Sequence, residues 1–282
     1  MHFIRRSFQK LRPYDGLTLG YLLIVLFFLI ISPHPPSAAL RITVVHGAAI
    51  LGVLLLANFA DRSRVLRRLH DFYPMLLFIA LFSEFNHIST VLFPYWFEPL
   101  LIKFDLWMFG GLPQQWVVGH LSSVAIEFFA FAYWSYYPII PGTLFLVYRK
   151  DYPRELTAAT TRICLTMFTC YLLFMLIPAR GPHHALPGES PLMIEGGFFT
   201  NLVHEIQKVG SVQGAAFPSS HVAVAWAMFF VLRRHNKKTS WPMGLLIGAL
   251  TLSVIAMGYH FSLDALGGMA VAFSINAVMK RH

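Results

Sequence analysis

Apolar residues along this chain come in long blocks separated by short polar segments, and eight of those blocks are long enough to draw as membrane-crossing helices. They fall at approximately residues 15–32, 39–58, 72–93, 120–148, 157–178, 218–233, 242–259 and 262–279, each near the ~20 apolar residues that cover a hydrocarbon core. The fold class predicted from this pattern is an all-α integral membrane protein, a polytopic helix bundle of about eight transmembrane helices. No internal repeat and no low-complexity tract interrupts it, so one membrane domain is the simplest organisation.

Composition agrees with the pattern. The chain of 282 residues is 56% hydrophobic and 15% aromatic with only 12% charged residues, and its mean hydropathy is +0.59. A soluble domain carries about 25% charged residues. The net charge of +9 raises nucleic acid as a partner, but the basic residues sit in short segments between apolar runs, as they do in cytoplasmic membrane loops. Nucleic acid is therefore excluded as a partner, the lipid bilayer is the expected surroundings, and protein partners stay open. Cys164 and Cys170 lie inside one apolar run and support neither a disulfide framework nor a zinc site. Arg5, Arg6, Lys10 and Arg12 before the first run resemble the start of a signal peptide, but no small-residue cleavage site follows at Ser32-Pro33, so the run is read as a retained span.

Charge placement orients the bundle. With the N-terminus cytoplasmic, seventeen Lys and Arg fall on inner segments, among them Arg62, Arg64, Arg67, Arg68, Arg149, Lys150, Arg154, Arg233, Arg234, Lys237, Lys238, Lys280 and Arg281. Outer segments hold four, Arg41, Lys103, Arg180 and Lys208, and Arg162 sits near the inner end of the fifth span. The asymmetry predicts both termini inside, as in a bacterial inner membrane, and places residues 94–119 and 179–217 outside. The first of these segments, with Trp96, Phe97, Trp107, Phe109 and Trp116, reads as an interfacial helix. The second carries Arg180, His183 and His184 and a short helix expected from Phe198 to Val209, and is where a lipid head group would be handled.

Two strings now face the same side. In Phe217-Pro218-Ser219-Ser220-His221, Pro218 in the first helical turn costs the helix nothing. Free backbone N–H groups, the dipole and the Ser219 and Ser220 hydroxyls then make the terminus an anion site, with His221 one turn in as general acid. In His260-Phe261-Ser262-Leu263-Asp264, the four-residue spacing puts His260 and Asp264 on one face of a helix, where the carboxylate orients an imidazole that attacks phosphorus. The product would be a phosphohistidine, resolved by water or by an alcohol. No outer carboxylate cluster offers a metal site and no cofactor is implied, so positive charge for the phosphoryl oxygens must come from Arg, Lys, His and the helix terminus.

At these residues the chain resembles the type 2 phosphatidic acid phosphatase superfamily, the lipid phosphate phosphatases. Pro218-Ser219-Ser220-His221 matches that family's Pro-Ser-Gly-His motif with Ser for Gly, and Ser253, His260 and Asp264 match its Ser-Arg, five residues, His, three residues, Asp motif. Val254 stands where that motif has arginine, Leu173 where the first motif has lysine, and Arg180 is followed by Gly181-Pro182. The resemblance implies that His260 is the nucleophile, Asp264 its orienting partner and His221 the general acid, with Arg180 a phosphate contact. The departures resemble the inositol phosphorylceramide synthase-like branch, whose Pro-x-x-x-Pro segment is similar to Pro178 to Pro182 and whose Asp-x-x-x-Phe-Gly-x-x-Pro pattern is matched by Asp105, Phe109, Gly110 and Pro113. It covers about the last two thirds of the chain, which divides the chain into two N-terminal helices at 1–71 and a six-helix lipid phosphatase-like core at 72–282.

Each candidate has a plainer reading. Arg180 could simply anchor the end of the fifth span, and His183 and His184 could be loop-surface residues as well as substrate contacts. Lys208 reads as a solvated face, Asp105 as a brace for the interfacial helix, and Gly244 and Gly248 as a close-packing pair. Glu84, His87 and Glu127 read as buried partners that hold helices together. The expected function is that of a lipid phosphatase or phosphotransferase acting on a membrane lipid substrate, with head-group transfer to a lipid alcohol one outcome. The rival is a non-enzymatic transporter or lipid-binding protein that keeps the fold. Transporters place paired polar groups near mid-membrane, whereas these candidates sit at span ends.

Overall fold

The computed structural model describes residues 10–148, 153–186 and 194–280. Arg5, Arg6, Arg149, Lys150, Arg281 and the middle of the 179–217 segment lie outside the described residues. The order is α1 (Pro13–Ile31), α2 (Ala39–Phe59), α3 (Arg64–Ser83), α4 (Phe85–Ile88), α5 (Glu98–Phe109), α6 (Pro113–His120), α7 (Ser123–Trp134) and α8 (Tyr136–Tyr148). There follow α9 (Pro153–Leu176), α10 (Pro182–Ala185), α11 (Phe198–Gly210), α12 (Ser220–His235), α13 (Lys237–Ala256) and α14 (Ser262–Met279). Five segments are long and apolar enough to cross a membrane by themselves: Pro13–Ile31, Ala39–Arg62, Arg154–Leu176, Lys237–Ala256 and Ser262–Met279. The protein is an all-α, multi-pass integral membrane protein. Large apolar side chains such as Ile30, Leu40 and Leu245 are exposed on its helix faces, as contact with lipid requires.

The remaining drawn spans take other shapes. The 72–93 run falls on α3, which begins earlier, at Arg64, because the Ser63 hydroxyl accepts the Leu66 N–H at 3.1 Å and caps the helix there. The 120–148 run divides at Ser135 into α7 and α8. The 218–233 run is α12, at 16 residues about 24 Å long. It can be short because it faces protein: α12 packs against α8, α9, α13 and α14, and Val222 through Ala225, Ala227 and Met228 are almost wholly buried. The helix expected from Phe198 to Val209 forms as α11.

Caps from distant parts of the chain fix the starts of two helices, α11 and α14. Glu127 of α7 accepts the N–H groups of Gly197, Phe199 and Thr200 at 2.8, 2.9 and 3.0 Å, so it caps α11 and is not one half of a buried pair as expected. Anions are favoured at such a terminus. Asp105 of α5 accepts the N–H of Ser262 at 3.2 Å and also the Ser262 hydroxyl, capping α14 where the sequence reading had it bracing its own helix.

Polar pairs tie the N-terminal helices together. His46 Nε2 of α2 lies 2.8 Å from Glu84 Oε2 at the end of α3, with both side chains buried, in line with the buried partner expected of Glu84. His87 instead is exposed. In the first turn of α1, Asp15 takes His70 Nε2 at 2.9 Å and the Tyr73 hydroxyl at 2.9 Å, while Arg12 just before it bonds Asp71. Removing one member of a buried pair strands the other, whereas replacing both with apolar groups is nearly neutral. Glu84→Leu should therefore cost about 3 kcal/mol, and His46→Leu combined with Glu84→Leu should recover most of it, read as thermal melting in detergent.

Candidate functional site

Three helix ends meet at one pole of the bundle. The first is the C-terminus of α13, where Gly258 adopts a left-handed φ of 70°. The Gly258 N–H bonds the Ile255 carbonyl at 3.0 Å and the Tyr259 N–H bonds the Val254 carbonyl at 3.0 Å, the paired bonds by which a glycine ends a helix. That turn throws Tyr259 and His260 out of the helix. His260 therefore precedes α14 and does not share a helical face with Asp264, as the spacing had implied. Asp264 lies in the first turn of α14, with Oδ2 accepting the Phe261 N–H at 2.8 Å and standing 3.4 Å from His260 Nδ1. The four-residue spacing thus works through a helix cap. His260 Nδ1 and Asp264 Oδ1 are buried and form no hydrogen bond among the described residues.

The second is the N-terminus of α12. Ser219 is the N-cap, with its hydroxyl accepting the Val222 N–H at 3.4 Å, and Pro218 falls just outside the first turn where the sequence had placed it inside. Ser219 and Ser220 are buried. The His221 ring centroid lies 5.8 Å from that of His260, and a tyrosine cage surrounds it, with Tyr136 at 4.4 Å and Tyr133 at 5.3 Å between centroids. The Tyr133 hydroxyl stands 3.3 Å from His221 Nε2 and accepts a hydrogen bond from Gln207 of α11. Tyr133 and Gln207 escaped the sequence reading because aromatics in a membrane span ordinarily signal packing.

The third is the segment after α9. Arg180 donates from Nε to Glu98 Oε1 at 2.7 Å and again from Nη2, and its guanidinium lies 5.0 Å from the Trp96 ring centre. It is thus braced by a buried carboxylate at the start of α5. His183 and His184 are half-buried: their rings lie 4.0 Å apart and both Nε2 atoms reach Ser211 Oγ at 2.9 Å. Gly181 allows this segment to lie against the His260 loop, since a Cβ there would stand 2.4 Å from the Tyr259 carbonyl oxygen. The Ser253 hydroxyl is buried and donates within its own helix to the Leu250 carbonyl at 2.9 Å. Lys208 pairs with Glu205 on an exposed face. A Cβ on Gly244 would press on Phe229, while Gly248 meets open space.

Burial sets the charge state of the pole. It lowers His260 from 6.5 to about 4, against a backbone hydrogen bond to Ala216 that raises it. Burial lowers His183 to about 3, with His184 and His260 adding to the effect, and lowers His184 as well, with Arg180 contributing. At neutral pH His260 thus keeps a free lone pair. No group of three or more His, Cys, Asp or Glu able to hold a metal ion exists among the described residues. Because these histidines bind protons less readily folded than unfolded, stability falls as pH drops. Melting temperature should be flat above about pH 7 and decline from 6.5 toward about 4, and His183→Gln should flatten part of that slope.

The family model described as the PAP2 superfamily matches residues 101–278, more than half of the chain and all three helix ends. The undecaprenyl-diphosphatase BcrC of Bacillus subtilis (strain 168) is 33% identical over 85 residues, 30% of this chain and 42% of that protein. The chain thus spans less than half the length of that relative. No solved structure matches. The chain belongs to the PAP2 superfamily.

Proposed function

We propose that the protein is a metal-independent lipid phosphatase or phosphotransferase that works through a phosphohistidine on His260. The observation that carries this reading is the convergence of His221, His260 and Asp264 at one pole, 5.8 Å between imidazole centroids and 3.4 Å from imidazole to carboxylate. Nδ1 of His260 is turned to Asp264, so Nε2, once it leaves the Ala216 backbone, attacks phosphorus while the bond to the leaving oxygen breaks. His221 gives that oxygen a proton. Water then attacks phosphorus, the P–N bond breaks, and His221 takes the proton back. Arg180, His183, His184, Ser219, Ser220 and the α12 N-terminus hold the phosphoryl oxygens. Glu98 aims Arg180, and Tyr133, whose hydroxyl can both donate and accept, holds His221 by Nε2 in either protonation state.

The substrate class is a phosphate or diphosphate ester of a membrane lipid, and the diphosphatase named among the relatives supports hydrolysis of a polyprenyl diphosphate. Transfer of a head group to a lipid alcohol is the second reading, favoured by the Pro178 to Pro182 segment and by Val254 in the place of the motif arginine. The pole faces the periplasmic or extracellular side, and residues 72–282 form the working domain, with the helices at 1–71 an addition to it.

Purified protein should release phosphate from such a lipid in the presence of a chelator. His260→Ala should abolish release, and Asp264→Asn should lower kcat on the order of 10²–10⁴-fold with folding intact. His221→Ala should spare an aryl phosphate, whose leaving group needs no proton, relative to the lipid, and Tyr133→Phe should show the same split in smaller measure. Wild-type turnover by His260→Ala, or no turnover of any lipid phosphate by the wild type, would leave a transporter or lipid-binding protein as the better reading. For orientation, an impermeant thiol reagent on intact cells should label Val209→Cys and spare Asn236→Cys.

A further inference from the structure

At the ends of α12 and α14 away from His221 and Asp264, one buried ion lacks a counter-charge among the described residues. Arg162 of α9 is 2% exposed, and its Nη1 donates to the Asn276 side-chain oxygen at 2.9 Å. Among the described residues no carboxylate pairs with it, and the charge that acts on it is a second cation, Arg234. Arginine does not shed its proton in proteins, and a buried charge left unpaired is strongly unfavourable. The described residues supply no carboxylate to offset it.

The placement indicates what else can. Arg162 lies in the third turn of α9, while Arg234 and Asn276 lie in the last turns of α12 and α14. The other ends of the same three helices lead to Arg180, His221 and Asp264, so this cluster marks the opposite pole. The C-termini of α12 and α14 each present roughly half a negative charge, which together offset about one of the two guanidinium groups. Arg234 is exposed and available to a ligand at the membrane surface. Asn276 uses its oxygen on Arg162 and keeps its NH₂ to donate.

We propose that Arg162, Arg234 and Asn276 form a binding site for one phosphate anion, supplied by a phospholipid head group of the leaflet opposite the histidine pole. A phosphate accepts from both guanidinium groups and the amide in charge-assisted bonds, and basic clefts between helix ends recognise lipid head groups in this way. A lipid held there pins together the far ends of the three helices whose near ends compose the histidine pole. The site stands whether or not the protein turns over a lipid phosphate.

The test is thermal melting in nanodiscs. Phosphatidylglycerol mixed into phosphatidylcholine discs should raise the melting temperature of the wild-type protein, and Arg162→Gln should lose that rise. Arg234→Gln, at an exposed position, should fold normally and need about ten-fold more phosphatidylglycerol for the same effect. Inorganic phosphate added to phosphatidylcholine discs is the second arm: protection equal to that of the lipid would overturn the lipid as the source. An equal rise with phosphatidylglycerol in the wild type and both variants would overturn the site. If Arg162→Gln yields no folded protein, Arg234→Gln decides.

Discussion

The histidine pole depends on how closely the N-termini of α12 and α14 approach. The Ser219 N–H bonds the Asp264 carbonyl at 2.8 Å, joining the first turn of the helix that carries His221 to the first turn of the helix that carries Asp264. Gly268 permits the crossing, because a Cβ there would stand 2.4 Å from the Ser219 carbonyl oxygen. Small residues at a helix crossing let backbones meet in this way. Everything else at the pole is built outward from this contact: His260 hangs from the turn just before α14, the Arg180 segment lies against that turn through Gly181, and Asp105 ties α5 to Ser262 beneath it.

Burial and charge are balanced differently at the two poles. Around His260 and His183, desolvation keeps the imidazoles neutral at ordinary pH, which suits a group that must offer a lone pair. Histidine can yield its charge in this way. Arginine cannot, so Arg180 is held beside Glu98, and Arg162, with no carboxylate beside it among the described residues, is the ion we assign to an anion from the membrane surface. Glu127 and Asp105 are stabilised by neither strategy and instead satisfy helix N-termini. Six buried or half-buried ionisable groups are thus accommodated by four separate means: loss of charge, a paired carboxylate, an external anion and a helix N-terminus.

Much of this was legible in the sequence, for identifiable reasons. Lipid-facing spans read clearly because their apolar runs are continuous, and α12 read as a span although it is buried against protein, since hydropathy does not distinguish the two surroundings. His221, His260 and Asp264 are conspicuous in the sequence because ionisable residues stand out beside apolar runs. The mode by which His260 meets Asp264 was misread: the spacing fits a helical face, but Gly258 ends the helix first, and a glycine just past an apolar run was the available signal. Glu127 and Asp105 could not be assigned because the termini they cap lie 70 and 157 residues away, beyond any local pattern. The Glu98–Arg180 brace spans 82 residues and was hidden for the same reason.

The central claim is a covalent bond between phosphorus and His260, and trapping it tests that claim most directly. Purified protein mixed with a lipid substrate carrying labelled terminal phosphate, quenched in alkali where a phosphohistidine survives and digested to peptides, should carry the label on the peptide containing His260. The label should vanish in His260→Ala. A wild-type enzyme that turns over while no peptide carries label, or a label that persists on the protein after His260→Ala, would contradict it.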